Sequence, residues 1–382
     1  MRLLAIVPCV YDTSPGQRFR LEQWEPHLRR LGVDITYAAF EDPELSATLH
    51  KPGNVVRKVR LIAKAVGRRA SVIRNLRDYD AVYVFREAAL FGPPIFERLV
   101  HRSGVPTIFD FDDAVFVPYV SPSNGYLSYL KFPAKTKTIC RLATYVIAGN
   151  TYLADYARQT NQNVSIVPTT IDTDKYEFKP RRDDSHVPVI GWSGSFSTVQ
   201  HLDSLAGAIK CLAKKERFRL VVIGSPVYKL DGVDVEALPW RSATEVSDVR
   251  QIDIGIMPLP DESWSRGKCG LKALQYMALG IPTVCSPVGV NSEIIQDGVN
   301  GFLAATEDEW VEKLTQLLHD KTLRARLGAA GRETVEKKYS SAVQAPRVYE
   351  ILHEVIAQAN ARQKATVKAD DKGFSRKDVQ GI

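Results

Sequence analysis

The sequence predicts two α/β domains, each built on a doubly wound parallel sheet. Three observations carry this expectation. Short, uninterrupted apolar runs alternate with amphipathic stretches. The alternation stops at a charged segment bracketed by prolines, Thr173 to Pro188, and then restarts. The length, 382 residues, exceeds what one hydrophobic core commonly serves.

In the first half, Leu3–Pro8, Val33–Ala38, Ala81–Phe85, Thr107–Phe109, Tyr145–Ala148 and Val164–Val167 are expected to be strands. Continuous Val, Ile, Leu, Tyr and Phe runs suit parallel strands covered on both faces. Helices are expected near Arg18–Leu31, Val55–Arg77, Pro94–Arg102, Tyr129–Leu142 and Thr151–Ala157, which makes the order βαβα. In the second half the strands are Val187–Gly191, Arg219–Gly224, Ile252–Met257 and Thr283–Cys285. Helices follow near Thr198–Ala213, Leu271–Leu279, Glu307–His319 and Leu323–Lys338. The last 20 residues are polar and charged and are expected to fray.

Composition narrows the function classes. With 45% hydrophobic and 25% charged residues, the chain is neither disordered throughout nor collagenous nor a disulfide scaffold. The charge-free run Ala273–Ser292 is broken by Gly280, Pro282, Pro287 and Gly289, too often for a spanning helix. Met1–Val10 has one basic residue and runs straight into Tyr11-Asp12, so it reads as a first buried strand rather than a signal peptide. Five scattered cysteines without a C-x-x-C pair suit the reducing cytosol, and seven scattered histidines offer little support for a metal cluster. The net charge of +7 is compatible with nucleic acid, anionic lipid or a phosphorylated substrate.

Two stretches of the second half have anion-binding character. Ile190-Gly-Trp-Ser-Gly-Ser-Phe-Ser197 leaves a strand and enters a helix, with Ser197 and Gln200 at capping-box spacing. Free N–H groups and the dipole point outward at such a start. An ordinary tight βα turn is the alternative, because the stretch is neither G-x-G-x-x-G nor a P-loop with its lysine. The second stretch runs from Arg266 to Pro282. Helical from near Lys268, it places Lys268, Lys272 and Gln275 on one stripe, with Leu271, Leu274 and Ala278 opposite. Two lysines near a helix start oppose the dipole unless an anion sits between them. A solvated basic face is the alternative.

In the first half, Phe109-Asp-Phe-Asp-Asp-Ala-Val-Phe116 sets Asp110, Asp112 and Asp113 at a strand's end. A metal-binding D-x-D, a carboxylate cluster orienting an acceptor hydroxyl, and plain turn chemistry are the three readings. Arg86-Glu87 ends another strand, facing the same cleft or forming a buried ion pair. Val55–Arg77 carries eight basic residues and no acid, over an apolar stripe of Val55, Val59, Ile62, Val66, Ala70 and Ile73. Such a helix can lie on an anionic membrane surface, or pack by that stripe with its basic face solvated. No aromatic-rich basic motif accompanies the charge, so nucleic acid is not the expected partner.

Lys272–Pro282, Ser286-Pro-Val-Gly-Val-Asn-Ser-Glu293-Ile-Ile and Asp297-Gly-Val-Asn-Gly-Phe-Leu303 together resemble the donor-binding half of family 4 (group 1) glycosyltransferases, which have the GT-B fold. Looser likeness extends to Ile190–Ser197, Asp253–Pro258, Ile166–Pro168 and Arg18-Phe-Arg20, and so covers most of residues 1–350. The resemblance implies two Rossmann-like domains facing across a cleft, with a nucleotide-sugar at the carboxyl ends of the second domain's strands. Residues 1–172 would form the acceptor domain, completed by a crossing helix over 342–363. Residues 186–340 would form the donor domain, and 364–382 a polar tail. It also implies a retaining reaction without metal or cofactor, in which basic side chains and a helix N-terminus neutralise the leaving diphosphate.

Residue by residue, the resemblance puts Gln275 at the second glutamate of Glu-x7-Glu, which grips the ribose, and Gly267 at the first. Asp261 or Glu262 would then take over the donor-sugar contact. Gly194, Ser195 and Thr198 stand where the family has an Arg/Lys pair, which leaves Lys268 and Lys272 as the leaving-group clamps. Glu293 would lie near the donor, with Trp240 and Met257 near the base. Asp112 and Asp113 would act on the acceptor hydroxyl, with Arg18, Arg20, Arg86 and Glu87 on the acceptor side. The resulting expectation is a cytoplasmic enzyme, peripheral on the membrane, that uses a nucleoside-diphosphate sugar and a glycan or lipid-linked acceptor in cell-surface polysaccharide synthesis. A sugar-nucleotide epimerase and a non-catalytic nucleotide-sugar-binding protein are the rivals.

Overall fold

The computed structural model describes residues 1–49, 51, 53–118, 132–178, 187–194 and 198–374. Its first sheet contains β1 (Arg2–Val7), β2 (Asp34–Ala39), β3 (Ala81–Phe85), β4 (Thr107–Phe111), β5 (Tyr145–Ala148) and β6 (Val164–Ile166). The order is β2-β1-β3-β4-β5-β6, and every pairing is parallel. The second sheet contains β7 (Val189–Ser193), β8 (Arg219–Ile223), β9 (Val235–Leu238), β10 (Ile254–Met257), β11 (Thr283–Cys285) and β12 (Phe302–Leu303), in the parallel order β12-β11-β10-β7-β8-β9. Every residue of β3, β4, β7 and β10 is buried, as uninterrupted apolar runs require. Each sheet reverses its strand order beside its first strand, which opens a crevice at the carboxyl ends.

Helices cover both faces of each sheet. The closing helix, Ser341–Phe374, crosses back to the first domain. Its Ala345, Val348, Leu352 and Val355 share a core with Leu3, Ala5, Trp24 and Leu28. These four follow the helical period, so one stripe of the last helix completes the first domain. The helix runs past Gln363, so the expected fraying of the tail is corrected as far as Phe374. A further core joins Phe19 of the first domain and Tyr176 of the connecting segment to Leu274, Tyr276 and Met277 of the second.

Several expectations shift. Edge strands β9 and β12 were not anticipated, because four and two residues carry too little pattern. The helix expected over Thr198–Ala213 is two, Gln200–Asp203 and Ala206–Ala213. The start expected near Leu323 lies at Lys321, where the Asp320 carboxylate caps the helix by accepting from Leu323 N at 2.8 Å.

The basic helix is Val55–Arg74, and its expected apolar stripe holds only in part: Ile62 and Ile73 are half-buried and pack against the core, but the valines do not. The buried face is Leu61, Ala65 and Arg69, while Val55, Val59 and Val66 are 70%, 61% and 41% exposed. Arg69 sets this phase. Its guanidinium donates to the carbonyls of Ala88 (2.8 Å), Ala38 (2.8 Å) and Val7 (3.0 Å). Burial pulls its pKa down to about 10, yet the three carbonyls satisfy its donors. A charged residue that fills three backbone acceptors outranks valines that can stay in water.

Arg69→Leu should therefore cost about 3 kcal/mol or more in urea unfolding, because three buried carbonyls lose their donors. Arg69→Lys should recover only part of this, since an ammonium cannot span three divergent carbonyls. A loss below about 1 kcal/mol would show that water replaces the guanidinium.

Candidate active site

The carboxyl ends of the two sheets face one another, and the residues following their strands meet. At the end of β4, Asp110 is fully buried. It accepts from Arg20 Nε at 2.7 Å and Nη2 at 2.5 Å, and from the Tyr83 hydroxyl. Burial pushes the Asp110 carboxyl up, partly offset by Arg20. Arg20 also donates to Val167 O at 2.9 Å and has no exposed surface, which corrects its expected place on the acceptor side. It is a structural brace beneath the site.

Asp112 and Asp113 stand above this brace. Arg86 donates to Asp112 Oδ1 at 2.6 Å and to Asp113 Oδ2 at 3.0 Å. Arg86 holds a left-handed backbone, φ 57°, at the end of β3, a conformation that costs a non-glycine residue about 1–2 kcal/mol. From the other domain, Lys268 Nζ reaches Asp113 Oδ1 at 2.8 Å. Burial pushes the Asp113 carboxyl up, but Lys268 and then Arg86 outweigh it and hold it below the usual carboxylate range. Each of the three aspartates thus faces a guanidinium or an ammonium. Among the described residues, no group of three candidate ligands gathers for a metal ion. Glu87 turns away from the cluster to Lys135 Nζ, 2.7 Å distant.

The Lys268 segment is not helical as expected. The helix begins at Leu271, and Lys268 lies in a turn that ends at Gly270. Asn150, after β5, donates to Arg266 O (3.3 Å) and Lys268 O (3.0 Å), and Cys269 Sγ donates to Asp112 O at 3.2 Å. Gly267 is a steric requirement here, since a Cβ would lie 2.5 Å from Ala114 Cβ and 2.7 Å from Ala114 N. Asp261 pairs with Arg266 at 2.7 Å, and Glu262 accepts from the Ser265 hydroxyl at 3.4 Å.

Lys272 occupies the first turn of Leu271–Ala278 and is half-buried. Its Nζ lies 5.3 Å from the Trp192 ring centroid and has no ion-pair or hydrogen-bond partner among the described residues. Burial, and then the neighbouring Lys268 charge, pull its pKa down to about 8. His201 was missed by sequence reasoning. It is 3% exposed, and its Nε2, like Trp192 Nε1, lacks a partner among the described residues. Burial and the charges of Lys272 and Lys268 lower its pKa to about 4. The only sequence signal was a histidine just inside the helix that follows a Gly/Ser turn. Gly194 is fixed by packing, because a Cβ there would sit 2.1 Å from the Trp192 ring. Thr198 lies at the end of this turn, and Ser195 and Ser197 lie outside the described residues.

The remaining candidates divide. Arg18 does not face the acceptor side; it donates across the cleft to both oxygens of Glu245, at 3.1 and 2.8 Å. Gln275 Nε2 donates to the Tyr176 hydroxyl (2.8 Å) and to Glu245 Oε1 (3.3 Å), and Trp240 Nε1 donates to the same oxygen at 3.1 Å. Met257 is 3% exposed inside the core and offers no open surface for a base, contrary to expectation. Glu293 lines a separate 460 Å³ cavity between the domains, with Asn150, Lys338, Tyr339 and Arg347.

Residues 187–320, most of the second domain, match the model of the family described as Glycosyl transferases group 1. An uncharacterized glycosyltransferase of Methanocaldococcus jannaschii is 29% identical over 157 residues, 38% of this chain and 42% of that protein. The capsular polysaccharide biosynthesis glycosyltransferase CapM of Staphylococcus aureus is 24% identical over 186 residues, 45% and 48% of the two chains. The chain thus spans less than half the length of these relatives. Among solved structures, Anabaena HepE in complex with UDP and glucose superposes with a TM-score of 0.66 at 14% identity, over 93% of this chain and 100% of that one. The fold is GT-B.

The lowering of the Lys272 pKa gives a direct test. The Lys272 Cε resonance should titrate near 8 in the free protein. Pyrophosphate should raise that midpoint, because an anion favours the charged form. Pyrophosphate affinity should correspondingly weaken as pH rises through 8. Unfolding would not explain such weakening. This group's folded pKa lies below its ordinary 10.5, so between 8 and 10.5 its deprotonation favours the folded state. A midpoint that ignores pyrophosphate would remove Lys272 from the anion site.

Proposed function

We propose that the protein is a retaining glycosyltransferase that moves a sugar from a nucleoside diphosphate, preferably uridine diphosphate, to a hydroxyl of a glycan or glycolipid. The observation that carries this reading is the Lys268–Lys272 pair at the carboxyl ends of the second sheet, with the Lys272 ammonium lacking an anion among the described residues. In the transfer, the acceptor oxygen bonds the sugar's anomeric carbon as the bond from that carbon to the β-phosphate oxygen breaks. Negative charge grows on the diphosphate; the two ammonium groups would neutralise it, and the neutral His201 imidazole would add a hydrogen bond. The acceptor's proton passes to the departing phosphate oxygen or to Asp113, which needs Lys268 to exchange its carboxylate for the diphosphate. Asp112 and Arg86 orient the acceptor. The nucleoside would lie by Trp240, Glu245 and Gln275. No step requires a metal ion. The likeness to CapM supports a role in cell-surface polysaccharide synthesis.

One observation favours a second reading. Ala114 fills the space beside Gly267, so no side chain stands where the resembling family places its first glutamate. A nucleotide-sugar-binding protein without transferase activity would share every other feature. It would bind donor but neither transfer nor hydrolyse the sugar.

Uridine diphosphate at about a hundred times its Kd should stabilise the protein by about 2.7 kcal/mol. If uridine, guanosine, adenosine and thymidine diphosphates all leave the melting curve unmoved, the donor site is misassigned.

Lys268→Ala and Lys272→Ala should each lower kcat by roughly ten to a thousandfold, the scale of a lost electrostatic donor. Activity should persist in excess EDTA. Abolition by EDTA with rescue by manganese would move the chemistry to a metal-binding role for Asp112 and Asp113.

A further inference from the structure

Three helices, Val55–Arg74, Ile95–Arg102 and Lys135–Leu142, pack in succession on one side of the first domain. Their outward surface is basic. Arg57, Arg60, Lys64 and Arg74 are exposed on the first helix, Arg98 and Arg102 on the second, and Lys137 and Arg141 on the third. The only acid in the three helices, Glu97, is buried and accepts from Ala88 N at 2.9 Å. Glu44 beside the first helix is engaged by Arg57, and Asp42 by Arg68 and, at 4.0 Å, by Lys64. Large apolar side chains stand exposed amid these charges. Val55, Val56 and Val59 are 70%, 85% and 61% exposed, and Ile95 and Leu99, one turn apart on the next helix, are 56% and 39% exposed.

We propose that this three-helix face docks the protein on an anionic lipid bilayer, with the Val55–Val59 end entering the headgroup region. Basic side chains would draw the face to acidic headgroups, and the valines would supply contact that charge alone does not. A polyanion such as RNA would use the charges but gain nothing from exposed valines. Position favours the bilayer as well. Arg69 bonds carbonyls at the carboxyl ends of β1 and β2, while Leu61 packs with Phe40 and Leu45 just beyond β2. Val56 lies about 20 Å further along the helix from Arg69 at the α-helical rise. The apolar end therefore extends past the carboxyl edge of the sheet, the edge on which the interdomain cleft opens. Docking there would bring the cleft mouth to the headgroups, where a lipid-linked acceptor resides. The docking itself does not depend on the transferase reading.

The test is co-sedimentation of the full chain with phosphatidylcholine vesicles and with vesicles containing about a third phosphatidylglycerol, at low salt. The protein should partition to the anionic vesicles only. Arg60→Glu, Lys64→Glu and Arg74→Glu combined should weaken partitioning roughly a hundredfold. Val56→Asn with Val59→Asn, which leaves the charge untouched, should weaken it roughly tenfold. Both variants alter exposed side chains, and an unchanged thermal melt would verify their fold. Wild-type protein that ignores anionic vesicles at low salt overturns the proposal. So does a valine variant that partitions like wild type while single-stranded RNA displaces both proteins, which would make the face a polyanion surface. Uridine diphosphate binding, measured separately, reports on the donor site and is not expected to change in either variant.

Discussion

The buried ion pair between Arg18 and Glu245 is the contact on which the relation of the two domains depends. Both side chains are nearly inaccessible, 6% and 3% exposed, so neither charge can fall back on water if the other leaves. Arg18 is further held by Asp12 at 2.6 Å, and Asp12 in turn accepts from the Ser242 hydroxyl of the other domain. Glu245 also gathers Trp240 and Gln275, and Gln275 reaches Tyr176 in the segment joining the domains. One carboxylate therefore ties together a helical segment of the first domain, the connection and two segments of the second. Such a pair contributes little net stability, but it fixes one arrangement, because opening strands two charges.

That arrangement determines the electrostatics of the cleft. The first domain contributes Asp112 and Asp113, already paired with Arg86, and the second contributes Lys268 and Lys272. One guanidinium and two ammonium groups face two carboxylates, which leaves one positive charge over, on the half-buried Lys272. Burial makes an unpaired ammonium costly, as its lowered pKa reflects. An anion with two or more charges would relieve both lysines, at the carboxyl ends where parallel sheets present ligand sites.

Most of this architecture was legible in the sequence. Ala81–Phe85, Tyr145–Ala148 and Thr283–Cys285 were bounded to the residue, because continuous apolar runs between turn signals have one comfortable solution. What failed did so for tertiary reasons. The phase of Val55–Arg74 is set by Arg69 finding three carbonyls from separate segments, which no local period encodes. Arg20 and Arg18 were placed on the acceptor side by the family resemblance of Arg18-Phe-Arg20, which says nothing of their partners. Their partners, Asp110 and Glu245, lie 90 and 227 residues away. Lys268 and Lys272 were paired by an assumed helix. The turn ending at Gly270 interrupts that helix, and only the fold shows Lys268 reaching the other domain while Lys272 does not.

Gly267 shows how sequence and geometry constrain each other. Its missing side chain reads in the sequence as a lost contact to the donor sugar. In the fold it is the condition for Ala114 to approach within van der Waals range, and Ala114 follows Asp113 directly in the chain. A larger residue at 267 would push the 110–114 segment outward and lengthen the 2.8 Å Lys268–Asp113 contact. In the proposed transfer, the glycine would trade the carboxylate that the resembling family has on the second domain for Asp113 delivered from the first. If sugar transfer runs as proposed, the carboxylate nearest the leaving group depends on the domains staying closed, whereas one rooted at 267 would travel with the donor. Closure would then be part of the chemistry, and Arg18, which holds Glu245 from the first domain, would act on the rate by keeping the cleft closed.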